Sequence, residues 1–260
     1  MSDSVLYEVV ADVAYITLNR PDKLNAMDDV LLDGVAQTLA QAAADAQAKV
    51  VVVRGAGRVF CAGGDVHDMP IQRTETQYRA TRLPIEQNIA AKVRQLGKPL
   101  IAQIHGAAMG GGCILAALCD VRLATPDCKF GLPEVRYGTV ASLGGIFMLT
   151  RIIGLGRAFE LLYLGESFNG TRALEMGLVN RLANPDDLAN EVHAMALKMA
   201  SHFGREMALT RQAILDGLDN AFLAAAEQET LGAMHAHLNG DVIQGFANAQ
   251  QTLAVKKAKP

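Results

Sequence analysis

The sequence predicts an α/β core followed by a mostly helical C-terminal region, and three observations carry that expectation. Short β-rich runs alternate with helical patterns up to about residue 140, as strand–helix units around one sheet do. One of the runs, "VVVV" at 50–53, is continuously apolar and β-branched, the pattern of a strand covered on both faces. From about residue 144 onward, apolar residues recur at helical spacing instead.

Taken in order, residues 5–18, "VLYEVVADVAYITL", form two β-rich runs around Ala11-Asp12 and read as a hairpin. Asp28 can cap a helix that runs to about Gln47 and shows Leu31, Val35, Leu39 and Ala42 on one face. "KVVVVRG" is a strand ended by Gly55. A second helix carries Ile85, Ile89, Val93 and Leu96 and stops at Gly97 and Pro99. "PLIAQIHG" is the next strand, a helix led by three glycines follows, and "DVRLAT" and "CKFG" read as strands again. Further on, Leu188, Val192, Met195 and Met199 mark one helical stripe, and helices are expected near 207–217 and 222–238. The core is expected to span 1–195, with a C-terminal helical region over 196–260.

The 260 residues are half hydrophobic and one fifth charged, ordinary for a soluble globular protein. A net charge of −3 leaves no basic footprint for nucleic acid, and Lys256, Lys257 and Lys259 read as a solvated tail. The first residues lack the basic and apolar regions of a signal peptide, and no apolar stretch reaches the ~20 residues of a membrane span. Cys61, Cys113, Cys119 and Cys128 form no CxxC pair and have no histidine cluster beside them. They read as reduced, buried thiols of a cytoplasmic protein rather than as metal ligands or a disulfide frame.

The glycine triplet in "HGAAMGGGCILAAL" (105–118) needs a reason, because glycine weakens a helix relative to alanine by roughly 0.5–1 kcal/mol. The segment lacks the third glycine of a dinucleotide fingerprint and the Gly-Lys-Ser/Thr end of a phosphate loop; "VASLG" around Ser142 is not a nucleophile elbow. Two readings remain: close helix–strand packing, or backbone N–H groups offered to an oxyanion at a helix N-terminus. "VFCAGGDV" (59–66) is a second glycine turn after a core strand, so the two turns can converge on one oxygen.

"LNRPDKLNAM" (18–27), "FCAGGDV" (60–66), "HGAAMGGGCILAALCD" (105–120) and "FGLPEVRYGTVASLGG" (130–145), continuing through "GRAFELLYLGESFNGTRALEMGLVNRL" (156–182), resemble the ordered signature of the enoyl-CoA hydratase/isomerase, or crotonase, superfamily. The resemblance implies the ClpP-like spiral of repeated ββα units with a C-terminal helical oligomerisation region. It makes Gly64 and Gly111 the oxyanion donors, glycine being required at 111 so that a thioester oxygen can come close. It puts Ala62, Asp65, Val66 and His67 along the coenzyme A of the substrate, and Lys23 near its phosphates. Asp65 also suits a helix cap, and His67 a plain surface histidine. No separate cofactor and no metal are implied.

Hydratases of the superfamily carry one Glu two places after the triplet and a second in the "PE" of the fourth motif. Here the second is Glu134 and the first is Ile114. Hydration asks for two carboxylates, and losing one general acid/base typically costs ~10²–10⁴-fold. One carboxylate suffices to move a proton from C2 to C4 of a 3-enoyl-CoA, and isomerases of the superfamily resemble this chain in having an aliphatic residue at the place of Ile114. The Asp of dienoyl isomerases corresponds to Ser142. Hydratase or carbon–carbon lyase chemistry remains open, with Ser142, Tyr137 or His67 as a second polar group, as does a non-catalytic, RNA-binding relative. The resemblance implies a homotrimer or a dimer of trimers. The usual charged final motif is altered in "DVIQGFANAQQTLAVKKAKP", where Lys256 or Lys257 can replace a basic contact to coenzyme A. The polar stretch between Met69 and Gln87 is expected to wall the acyl pocket.

Overall fold

The structure is a computed structural model and describes residues 3–65, 76, 80–137 and 139–219. The chain divides into two compact units, one ending at Ser201 and the other starting at His202.

The first unit is built on a six-stranded sheet. Strands β1 (Val5–Val10) and β2 (Val13–Leu18) pair antiparallel, and Ala11 and Asp12 between them both take positive φ, the twist a two-residue hairpin turn requires. Parallel to β2 follow β3 (Val50–Gly55), β4 (Leu100–Ile104), β6 (Val121–Ala124) and β9 (Arg181–Leu182), in the spatial order β1-β2-β3-β4-β6-β9. A second sheet is small: β5 (Ala107–Met109) lies parallel to β7 (Lys129–Gly131), which pairs antiparallel with β8 (Ser167–Asn169).

The large sheet is covered on both faces, which is why its central strands are largely apolar. Ala14, Ile16, Leu18, Val51 and Val53 enter the main core with α1 (Asp29–Ala44), α2 (Arg82–Gln95) and α3 (Gly111–Leu118). Val13, Tyr15, Val50 and Val52 enter a second cluster with Leu188, Val192, Ala196 and Ala200 of α7 (Leu188–Ala200). The Asp28 side chain accepts the Leu31 N–H at 2.8 Å and caps α1 as its sequence anticipates. Arg82 ties α2 to α1 through Asp29 at 2.8 Å while also bonding Glu86 at 2.8 Å. Arg122 is buried and donates to the carbonyls of Cys119 and Leu178, which closes the C-terminal end of α3.

After β7 come α4 (Gly145–Ile153), α5 (Leu155–Leu164) and α6 (Gly170–Glu175). The second unit contains α8 (Gly204–Asp219), which includes the helix expected near 207–217. The expected helix over 222–238, Lys256 and Lys257 lie outside the described residues. All four cysteines are buried, and none of them is in a disulfide. Among the described residues no helix is long and apolar enough to cross a membrane, and no group of side chains suits a metal ion.

Candidate active site

The site starts from the turn that follows β2. Leu24 and Asn25 both take positive φ, and Asn25 is 0 % exposed. Its Nδ2 donates to the carbonyls of Ala56, Val59 and Phe60 at 2.9, 3.0 and 3.1 Å, and its Oδ1 accepts the Arg20 N–H at 2.9 Å. One side chain therefore welds this turn to the loop leaving β3. Arg20 closes the same turn from outside, bonding Asp28 at 2.9 Å, Asp65 at 3.2 Å and the Ala26 carbonyl at 2.6 Å.

That frame carries the first glycine turn. Residues 60–65 run between two extended segments: the Phe60 and Cys61 N–H groups donate to His105 and Ala107, the Met109 N–H donates to Cys61, and the Ala62 N–H donates to Leu24. Two isolated parallel bridges, Met27–Gly64 and Cys61–Ala108, complete the alignment. The Gly63 carbonyl accepts the Met27 N–H at 2.7 Å, and the Asp65 N–H donates to Met27 at 3.1 Å. In a trans peptide the N–H points opposite the carbonyl, so the Gly64 N–H faces away from Met27.

The second turn opens α3. Gly110 has φ 48° and ψ −122°, a conformation suited to glycine alone. Its carbonyl accepts the Ile114 N–H at 3.0 Å, so the next N–H, of Gly111, points out of the helix N-terminus. Among the described residues neither the Gly64 nor the Gly111 N–H has a backbone acceptor. Gly63, Gly110 and Gly112 are buried, whereas Gly64 and Gly111 are partly exposed. The turns touch, since a Cβ on Gly63 would stand 2.7 Å from the Met109 carbonyl oxygen and 3.6 Å from the Gly110 Cα.

Gly112 answers to packing, not chemistry. A Cβ there would meet the Cys61 oxygen at 2.5 Å and the Cys61 Cβ at 2.8 Å. Gly112→Ala is expected to cost about 1–3 kcal/mol by forcing α3 off the 60–65 segment, read as a fall in Tm with a loss of activity.

Glu134 begins a short 3₁₀ turn, Glu134–Tyr137, after β7. Gly165, which ends α5 with φ 61°, backs this turn so closely that a Cβ would press on Arg136 and Pro133. The Glu134 carboxylate lies against the glycine helix: its Oε1 would be 3.1 Å from a Cβ on Gly110. The carboxyl is half-buried, and its Oε2 is shielded from solvent with no hydrogen-bond partner among the described residues. Burial pushes its pKa above the ordinary carboxylate value, opposed by the N–H of its own residue. The same proximity shows in Cys113, whose thiol is pushed up to about 12 by burial and by Glu134.

Ile114 is 1 % exposed and stands under the first residue of α4. A Cβ on Gly145 would overlap three carbons of the Ile114 side chain. Position 114 is thus sealed in apolar packing.

Gly64, Gly111 and Glu134 are therefore brought together, with Ala62 partly exposed beside the first turn. Lys23 is exposed in the 3₁₀ turn Pro21–Lys23 on the same welded segment. The Asp65 carboxylate is held by Arg20 rather than left open to a ligand. Ser142 and Tyr137 are exposed. Val66, His67 and most of the stretch between Met69 and Arg82 lie outside the described residues. Met27 and Asn25 also build the site and were not anticipated, although both stand in the quoted "LNAM": the partners that give them their roles are far away in the chain.

The architecture is that of a known class. The chain superposes on the crystal structure of an enoyl-CoA hydratase from Bacillus anthracis with TM-score 0.90 and 29% identity, covering 96% of this chain and 97% of that one. It superposes on a monofunctional enoyl-CoA isomerase from M. smegmatis with TM-score 0.74 and 32% identity, covering 87% and 99%. This is the crotonase fold. The chain is also 32% identical over 260 residues to the short-chain-enoyl-CoA hydratase of Clostridium acetobutylicum, covering 95% of this chain and 98% of that one. The family model described as enoyl-CoA hydratase/isomerase matches residues 8–246, and the chain belongs to that family of enzymes acting on acyl-CoA.

Proposed function

We propose that this enzyme is a double-bond isomerase that converts a 3-enoyl-CoA to the 2-enoyl-CoA, with Glu134 as its single proton carrier. The observation that supports this most is the asymmetry around that carboxylate: Glu134 is half-buried with an unpartnered oxygen, while the place of a second carboxylate is taken by Ile114, sealed beneath Gly145.

The Gly64 and Gly111 N–H groups receive the thioester oxygen. Glu134 takes a proton from C2, and the C–H electron pair spreads into a dienolate whose oxyanion the two N–H groups stabilise. Glu134 then returns the proton at C4, and the double bond lies between C2 and C3. Each donor of this kind is worth roughly 2.7–4 kcal/mol in the transition state. Ala62, Asp65, Val66, His67 and Lys23 belong to the coenzyme A side of this reading, with Asp65 acting through its bond to Arg20. A homotrimer or dimer of trimers and a cytoplasmic setting also belong to it; sedimentation velocity tests the assembly.

The likeness to the hydratases of B. anthracis and C. acetobutylicum favours a second reading, in which an unidentified group holds water opposite Glu134. Product analysis by mass spectrometry and NMR in D₂O separates the two. Isomerisation of 3-hexenoyl-CoA, with crotonyl-CoA left unhydrated, supports the isomerase; Glu134-dependent 3-hydroxybutyryl-CoA overturns it.

Glu134 must be ionised to accept the C2 proton. The kcat/KM is therefore expected to rise with pH, with its midpoint above the ordinary carboxylate range because the burial raises the pKa. A pH–rate profile checks this, and a midpoint at or below that range contradicts it.

A further inference from the structure

We infer that Met27 is a positioning residue that sets the distance between the two oxyanion donors, and that Gly111 is glycine because of Met27 rather than because of the substrate. The inference rests on the reading that the Gly64 and Gly111 N–H groups hold the thioester oxygen.

Met27 meets both donors in different ways. Its backbone brackets Gly64: its N–H holds the Gly63 carbonyl at 2.7 Å and its carbonyl holds the Asp65 N–H at 3.1 Å, which fixes the peptide that carries the first donor. Its side chain, 2 % exposed, runs to the second. A Cβ built on Gly111 would stand 2.9 Å from the Met27 sulfur, and among the described residues no other atom outside its own helix and chain neighbours lies within 4 Å of it. The open side of Gly111 is therefore not where its Cβ would point. A side chain at 111 would push down on Met27 and lift the helix N-terminus away from Gly64, instead of projecting into the path of a ligand.

The residue is held firmly enough to act as a spacer. The turn behind it is welded by Asn25 and closed by Arg20, whose guanidinium bonds the carboxylates of Asp28, the next residue in the chain, and Asp65, whose N–H donates to Met27. An unbranched thioether fills such an irregular gap without a polar atom that needs a partner.

The test is a double-mutant cycle between positions 27 and 111, read two ways. The first reading is kcat and KM for 3-hexenoyl-CoA. The second needs no turnover: the ultraviolet absorbance of the enolate formed when acetoacetyl-CoA binds, which reports the strength of the donor pair. Gly111→Ala is expected to lower kcat by ~10²-fold with little change in KM, as for a lost oxyanion donor. Met27→Ala alone lowers kcat, up to the ~10²-fold that a misplaced catalytic group can cost, again with KM nearly kept. The double variant recovers about tenfold over Gly111→Ala, because the space under the new methyl group is free. Met27→Leu, which conserves volume, gives kcat well above that of Met27→Ala.

A double variant no better than Gly111→Ala overturns the proposal, since glycine is then needed for the substrate's approach. Equal losses in kcat for Met27→Leu and Met27→Ala overturn it too. Should Met27→Ala fail to fold by circular dichroism, Met27→Val carries the same cycle. If the native enzyme ionises bound acetoacetyl-CoA but does not isomerise 3-hexenoyl-CoA, the isomerase reading fails and the absorbance arm still decides the role of Met27. If it does neither, the donor reading fails and the proposal with it.

Discussion

Glu134→Gln is expected to lower kcat by at least ~10²–10⁴-fold while leaving acyl-CoA binding and thermal stability nearly unchanged. The amide keeps the shape of the carboxyl and removes the capacity to take the C2 proton that the proposed isomerisation requires. Stability is spared because the carboxyl makes no ion pair among the described residues and one of its oxygens lacks any hydrogen-bond partner there. A neutral group is easier to bury at that position than a charged one, as the upward pKa shift states. Steady-state kinetics beside calorimetry check both halves. A variant that retains more than about a tenth of native kcat places the proton transfer on another group.

The largest effect on the fold is expected at Asn25. Asn25→Asp preserves size and removes the amide donors that hold Ala56, Val59 and Phe60, setting acceptor against acceptor in a fully buried space. Leaving such groups unpaired costs ~1–3 kcal/mol for each, and a buried unpaired charge ~3–5 kcal/mol. Urea titration is expected to show a loss of several kcal/mol, or no folded protein at neutral pH. The Asp carboxyl binds its proton more tightly in this buried setting than in the unfolded chain, so the deficit narrows as pH falls toward the ordinary carboxylate range. Asn25→Ala, which leaves the carbonyls unpaired without a charge, should lose less than Asn25→Asp at neutral pH.

Much of this arrangement was legible because its causes are local. Asp28 stands three residues before the N–H it accepts, Ala11-Asp12 forms its turn from its own backbone, and the apolar stripe of α1 repeats every three or four residues. The glycines of both turns could be read as sites where backbone approaches something. What each approaches could not, because Cys61, Met27 and Glu134 reach Gly112, Gly111 and Gly110 from distant parts of the chain. The acceptors of the Asn25 Nδ2 lie 31 to 35 residues away and are backbone atoms, which leave no mark on the sequence. Strands β8 and β9 escaped for another reason: at three and two residues they are too short for alternation to register.

The two isolated bridges that align the glycine turns, Met27–Gly64 and Cys61–Ala108, have a consequence for motion. Each is a single pair rather than a ladder, so opening one breaks few bonds, whereas separating β3 from β4 breaks a run of them. The amides of Cys61 and Asp65 should then exchange with solvent deuterium through local openings well below the energy of global unfolding, and those of β3 only near it. An acyl-CoA that clasps both turns would slow exchange at Cys61 and Asp65 first, making these two amides a reporter of occupancy that needs no catalytic step.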